Sequence, residues 1–131
     1  MEIWTMEEIV PTLKPLSVHV LDTNLGGNAP NVTCKLYRKV PTLSSNAEEK
    51  FNLLATAVTD ANGRISQFLS AEDYTPGVYR IWFEIGDYYQ HSYGLSTFFP
   101  QTQITYENKD GSASHIPLVV SPYAISTYKG S

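Results

Sequence analysis

Eight short runs rich in apolar and β-branched residues, separated by turn-forming clusters, restrict what this 131-residue chain can fold into. Side chains on a β-strand alternate between its two faces. Leu16 to Leu21 alternates cleanly: Leu16, Val18 and Val20 share one face, and Ser17, His19 and Leu21 the other. In Val32 to Val40, one face takes Val32, Cys34, Leu36 and Arg38. Phe51 to Thr59, Arg64 to Leu69, Val78 to Ile85 and Gln103 to Glu107 read as further strands. Ile116 to Val120 and Ala124 to Tyr128 are the last two, joined at Ser121-Pro122. Between them lie turn signals: Asp22 to Pro30, Asp60-Ala61-Asn62-Gly63, Tyr74 to Gly77 and Asn108 to Gly111, with a polar loop over Pro41 to Lys50. Asn-Gly accepts positive φ at little cost, so Gly63 predicts a tight turn directly before Arg64. A helix is predicted over Asp87 to Gly94, with Asp87 as cap and Gly94 as stop. Many short strands at this spacing predict an all-β sandwich with one short helix.

The length suits one domain, at roughly 100–200 residues per domain. Residues 1–13 carry no clear period and predict a loosely ordered extension ahead of a single domain over 14–131. An apolar fraction of 42% is enough for a core. The formal charge is -4, and no run of Lys or Arg exceeds two residues. That argues against nucleic acid or an anionic membrane surface as the main partner. No apolar run approaches the roughly 20 residues of a membrane span. The opening Met1-Glu2-Ile3-Trp4 is acidic rather than basic, unlike a secretory leader. One cysteine, Cys34, excludes an internal disulfide. These features predict a soluble intracellular protein. The final Lys129-Gly130-Ser131 is not Ser-Lys-Leu, and both the cytoplasm and the peroxisome stay open.

The chemistry-bearing residues gather by alternation. Ile116, Leu118 and Val120 form the natural core face of their strand, which leaves His115, Pro117 and Val119 on the other face. In the last strand Ser126 and Tyr128 lie opposite Ile125 and Thr127. His19 and His115 thus both sit opposite an apolar stripe, on a face that is solvated or covered by another subunit. If their two strands pair, the imidazoles can meet. His91 falls on the predicted helix and reads as a surface residue. Arg64 alone reads as an ordinary exposed arginine, and Tyr128 equally as an interface tyrosine. There is no Gly-x-Ser-x-Gly elbow and no His-x-x-x-His or cysteine cluster, so neither a serine hydrolase nor a zinc site is indicated.

These residues fall into a pattern. Leu16-Ser17-Val18-His19-Val20-Leu21-Asp22, Thr59-Asp60-Ala61-Asn62-Gly63-Arg64, His115-Ile116-Pro117-Leu118, Ser121-Pro122-Tyr123 and Ser126-Thr127-Tyr128-Lys129-Gly130-Ser131 resemble the 5-hydroxyisourate hydrolase branch of the transthyretin family. The resemblance runs in register from about Leu16 to Ser131. The family usually ends Tyr-Arg-Gly-Ser, whereas this chain has Lys129, which keeps the charge and loses the guanidinium fork. Ala113 stands where many members carry a further histidine.

The resemblance implies a sandwich of two four-stranded sheets and a short helix after the fifth strand. It also implies a homotetramer built as a dimer of dimers, with sites in the channel between the dimers. The implied reaction is hydrolysis of the cyclic amide of 5-hydroxyisourate, without a metal or organic cofactor. His19 and His115 would activate water and move protons, in an order left open, while Arg64 would hold substrate carbonyls. Tyr128 and Ser126 would bind polar edges of the substrate, and Lys129, Gly130 and Ser131 would shape the pocket. The sibling branch, a non-catalytic carrier of small ligands of the thyroid-hormone type, resembles Lys at position 19, Glu at 64 and Thr at 115. This chain carries the hydrolase residue at each.

Overall fold

The computed structural model describes residues 15–42 and 48–131. The extension expected at 1–13 and the middle of the loop at 41–50 lie outside the described residues. Two sheets pack face to face. The first is centred on β1 (Leu16–Asp22), which pairs in parallel with β8 (Ser114–Ser121). The hairpin from β8 to β9 (Ala124–Thr127) extends that sheet on one side. On the free edge of β1 lie two short pieces, β2 (Gly27–Asn28) and β5 (Arg64–Ile65). The second sheet runs β4 (Phe51–Val58), β3 (Thr33–Lys39), β6 (Gly77–Phe83), β7 (Thr102–Asn108), antiparallel throughout.

The alternation read from the sequence is the alternation of the core. Leu16, Val18 and Val20 of β1 are fully buried, as are Cys34 and Leu36 of β3 and Tyr79, Ile81 and Phe83 of β6. Ile116, Leu118 and Val120 close the core from β8. Each fully buried aliphatic side chain of this kind contributes about 1.5–3 kcal/mol.

Three boundaries differ from the sequence reading. The run expected over Arg64 to Leu69 is a strand for only two residues. Ile65 and Phe68 are both buried, a spacing of three that an alternating strand cannot satisfy. Gly27 and Asn28, inside what reads as a turn, pair with Leu21 and Asp22. The helix α1 spans Ile85–Tyr93, so β6 stops at Phe83 and the helix begins earlier than expected. Asp87 lies in its first turn rather than at its cap, and the cap position is Glu84, whose side chain makes no capping bond. Other groups occupy that end: Gly86 N–H donates to Pro100 O at 2.7 Å, and the Glu84 carboxylate accepts from Trp82 Nε1 at 2.6 Å. Gly94 ends the helix in the left-handed conformation, φ 65°, as the sequence predicts.

One polar group holds α1 to the first sheet. Asp22, 1% exposed at the end of β1, accepts from Tyr88 Oη and Tyr89 Oη of α1, each at 2.7 Å. It also accepts from the Asn24 and Leu25 N–H groups at 2.9 and 3.2 Å. Burial, followed by the hydrogen bonds to Asp22, pushes both phenols well above their usual range.

Candidate functional site

The outward face of the first sheet brings the predicted histidines and arginine onto adjacent strands. Residues paired across a ladder share a face. His19 is paired with Arg64 on one side of β1 and with Pro117 on the other. His115 is paired with Ser17, two residues before His19. The imidazoles are thus diagonal neighbours rather than directly opposed. A strand spacing of about 4.8 Å and a rise of about 3.3 Å per residue separate their Cα atoms by about 8 Å.

Local chemistry delivers Arg64 to that face. The Asp60 carboxylate accepts from the N–H groups of Asn62 and Arg64 at 2.8 and 3.0 Å, which closes the turn. Those bonds, with that to Arg64 first, hold the Asp60 carboxyl below its usual range. Gly63 sits at φ 74°, and a Cβ there would lie 2.6 Å from Val20 O. Only glycine lets this turn lie against β1, where Val20 N–H donates to Gly63 O at 2.8 Å. Buried Thr59 anchors the turn by donating to Ala29 O at 2.7 Å and accepting from Val32 N–H at 2.9 Å.

A cleft of about 390 Å3 opens over this face, lined by Arg64, Ile65, Ala113, His115, Gly130 and Ser131 among others. That volume is in the usual range for small-molecule sites. His115 forms one wall. Its Nδ1 lies 2.7 Å from Ser17 Oγ, and its main-chain O accepts from Gly130 N–H at 2.9 Å. A Cβ on Gly130 would fall 2.5 Å from His115 Cδ2, so the tail packs against the ring only because position 130 is glycine. Burial first, then the Arg64 charge, then His19, pulls the His115 pKa below its ordinary value, against an opposing hydrogen bond with the Ser17 main chain. The ring is therefore neutral at neutral pH and able to accept a proton. His19 stands beside the cleft rather than in its lining. Its Nε2 is 2.9 Å from Asn28 Oδ1, an acceptor, so the neutral ring carries its proton on Nε2 and leaves Nδ1 open.

The other predicted residues come from β9 and the chain that follows it. Gly130 and Ser131 line the cleft. Tyr128, 59% exposed, and Lys129 border a neighbouring hollow of about 270 Å3 that shares His115 and reaches Ile104 and Tyr106. Ser126, paired with Val119, lines neither space. His91 is exposed on α1, where its Nδ1–H donates to Asp87 O at 2.9 Å. Among the described residues, no group of three His, Cys, Asp or Glu could hold a metal ion. Cys34 is buried, which pushes its thiol up to about 12.

Two residues that the sequence did not single out touch the site histidines: Ser17 and Asn28. Alternation placed Ser17 on the right face, but a serine on a solvent face carries no signal of its own. Asn28 sits in β2, hidden within a turn-forming cluster.

Fold and cleft together define a two-sheet sandwich with an imidazole–guanidinium site on the outward face of one sheet. The chain belongs to the HIUase/Transthyretin family, whose pattern it matches over residues 16–130. It is 37% identical over 117 residues to a 5-hydroxyisourate hydrolase of Salmonella typhimurium, covering 88% of this chain and 80% of that one. The mouse 5-hydroxyisourate hydrolase is 30% identical over 118 residues, covering 89% and 95%. Among solved structures, the 5-hydroxyisourate hydrolase of Klebsiella pneumoniae superposes with a TM-score of 0.72 at 34% identity, covering 88% and 98%. Transthyretin from Sparus aurata superposes with a TM-score of 0.78 at 26% identity, covering 88% and 96%.

Proposed function

We propose that this chain is a hydrolase that opens the cyclic amide of 5-hydroxyisourate, giving 2-oxo-4-hydroxy-4-carboxy-5-ureidoimidazoline in urate degradation. The observation that carries this reading is the grouping of His19, Arg64 and His115 at neighbouring ladder positions on one outward face. Hydrolysis adds a water oxygen to the ring carbonyl carbon and breaks the C–N bond. One water proton goes to the leaving nitrogen, and the new carboxyl releases the other. His115, neutral and in the cleft wall, suits proton transfer, and so does His19 with Nδ1 open. Positioned acid–base groups of this kind contribute about 10²–10⁴ in rate. The Arg64 guanidinium holds substrate carbonyls and stabilises the charge that develops on oxygen. Gly130 and Ser131 shape the cleft, and Tyr128, Lys129 and Ser126 extend the polar surface for substrate edges.

The carrier reading has less support. Both family branches share the fold, so the site decides between them. His19, Arg64 and His115 are acid–base and anion-stabilising groups, which a carrier does not need.

The assembly we favour is a homotetramer, a dimer of dimers. Phe98, Tyr123 and Tyr128 are 71%, 72% and 59% exposed, and the site face is open in a single chain. Association would bury this apolar surface and roof the cleft. Among the described residues no helix is long and apolar enough to cross a membrane. One buried free cysteine suits a reducing compartment, and we favour the cytoplasm or the peroxisome.

Freshly generated 5-hydroxyisourate, made by urate oxidase and followed by ultraviolet absorbance, tests the activity. The protein should speed its decay, while His19→Ala and His115→Ala should fold, sediment as the parent does and lose most turnover. Thyroxine binding without any acceleration would favour the carrier, and near-parental turnover by either variant would remove that histidine from the mechanism.

A further inference from the structure

His115 is gripped on two of its ring edges. Ser17 Oγ is 2.7 Å from Nδ1, and the Gly130 backbone packs against Cδ2 on the opposite side. Among the described residues, no hydrogen bond reaches Nε2, and His115 lines the cleft. A serine hydroxyl can donate or accept, so the 2.7 Å contact alone fits either tautomer. The chemistry asked of the ring resolves the ambiguity: a base working in the cleft needs its lone pair on Nε2, which puts the proton on Nδ1 and makes Ser17 Oγ its acceptor. Among the described residues Nδ1 is the ring nitrogen that meets a protein partner, and Ser17 is the direct partner of His115 across the parallel pair.

We infer that Ser17 is a positioning residue that holds His115 in the tautomer protonated on Nδ1, so that the Nε2 lone pair faces the cleft and takes the proton from the attacking water. The positioning of the ring rests on the Ser17–His115 contact, and the choice of tautomer rests on the hydrolase reading. It divides the labour between two histidines that otherwise look interchangeable. His19, with its proton on Nε2 toward Asn28, is held in the opposite tautomer. Two rings locked in different tautomers suit different stages of one proton transfer.

The charged and titratable groups facing His115 are Arg64 from β5 and His19 from β1. Tyr106 and Glu107 from β7, with Tyr128 and Lys129 from the tail, border its other side. None of these contacts Nδ1, so a change at Ser17 is read at Nδ1 first.

The test uses the full chain with ¹⁵N-labelled histidine and the variants Ser17→Ala and Ser17→Thr. In the parent, neutral His115 should show a protonated Nδ1 and an unprotonated Nε2 in long-range ¹H–¹⁵N spectra. Ser17→Ala removes an acceptor that stabilises the imidazolium, so the His115 midpoint should move down in pH. Its kcat should fall about 10–100-fold with KM within about twofold, as expected for loss of tautomer control of an acid–base group. Ser17→Thr should keep the tautomer and recover most of kcat. A neutral parent ring protonated on Nε2 overturns the inference, as does an upward shift of the midpoint in Ser17→Ala, the sign expected if the hydroxyl donates to Nδ1. The parental spectrum decides the tautomer even if Ser17→Ala does not fold. A chain that shows the predicted tautomer but leaves 5-hydroxyisourate untouched would sink the hydrolase reading and the base role together, while the Ser17–His115 contact would stand.

Discussion

Gly130→Ala separates the stability of this fold from the geometry of its site. The added methyl would sit 2.5 Å from His115 Cδ2, 2.9 Å from His115 O and 3.1 Å from His115 Cβ. Carbon–carbon contacts are comfortable at about 3.5–4.0 Å, so something must move by about 1 Å. The Cβ and O of His115 belong to β8, which is paired with β1 at this position, and its Nδ1 is held by Ser17. The tail yields more easily, at the cost of the Gly130 N–H bond to His115 O. Losing one such partly exposed bond costs about 0.5–1.5 kcal/mol. For a chain of this size that shifts Tm by about 2–5 °C at fixed protein concentration. The activity loss should be far larger, since about 1 Å of misplacement near a reacting centre costs about 10²-fold. Gly27→Ala, where a Cβ meets nothing within 4 Å, is the matched control. Differential scanning fluorimetry and the absorbance assay read the two effects. A Gly130→Ala protein with parental kcat/KM would show that the tail's approach to His115 does not govern the site. A loss of more than about 4 kcal/mol would show that the tail braces the fold itself.

Two further perturbations test other parts of the structure. Asp22→Asn keeps one of the two carboxylate acceptors and cannot serve Tyr88, Tyr89 and both loop N–H groups at once. It should lower stability by about 1–3 kcal/mol for the hydroxyl left without a partner, measured by urea unfolding, and an unchanged midpoint would refute the tether. Arg64→Met removes the charge that, after burial, does most to depress the His115 pKa, so the His115 midpoint should rise toward its ordinary value. The sign follows for stability too. With the folded pKa depressed, unfolded chains bind the proton first as pH falls, so the parent loses stability below about pH 6.5 and Arg64→Met should lose less. An NMR titration of His115 with an unmoved or lowered midpoint would contradict this.

What the sequence made legible was whatever depends on alternation and turn chemistry. Period two placed Leu16, Val18 and Val20 in the core and His19 outside it, and Asn62-Gly63 announced the turn before Arg64. It stayed silent where a residue's role depends on a partner distant in the chain. Ser17 and His115 are 98 positions apart, and only the parallel pairing of β1 with β8 makes them neighbours. Asp22 read as part of a turn because its burial is created by Tyr88 and Tyr89 on α1. The helix start was missed for a similar reason: Ile85 reads as a strand residue until the Pro100 carbonyl is seen to receive Gly86 N–H. Gly130 read as part of a terminal motif, while its physical requirement is the close approach of the tail to His115.

The site owes its definition to the register of β1. That strand is paired along β8 on one side and against β2 and β5 on the other. A slip of one residue would turn Ser17 and His19 into the core and expose Leu16, Val18 and Val20. Burying a polar imidazole without partners while exposing three aliphatic side chains costs several kcal/mol, so the register is strongly fixed. Three site positions are fixed directly by that register: Ser17, His19 and, through the parallel ladder, His115. Arg64 is fixed by a glycine turn that Val20 itself receives, and Gly130 by the His115 carbonyl. Ser17, His19 and His115 therefore hang on strand pairing, the arrangement that holds side chains most tightly in place, while Arg64 and Gly130 depend on a turn and on the tail. Sequence changes in loops far from β1 should accordingly leave this chemistry intact, whereas small changes in the packing beneath Val18 or Leu118 should reach it.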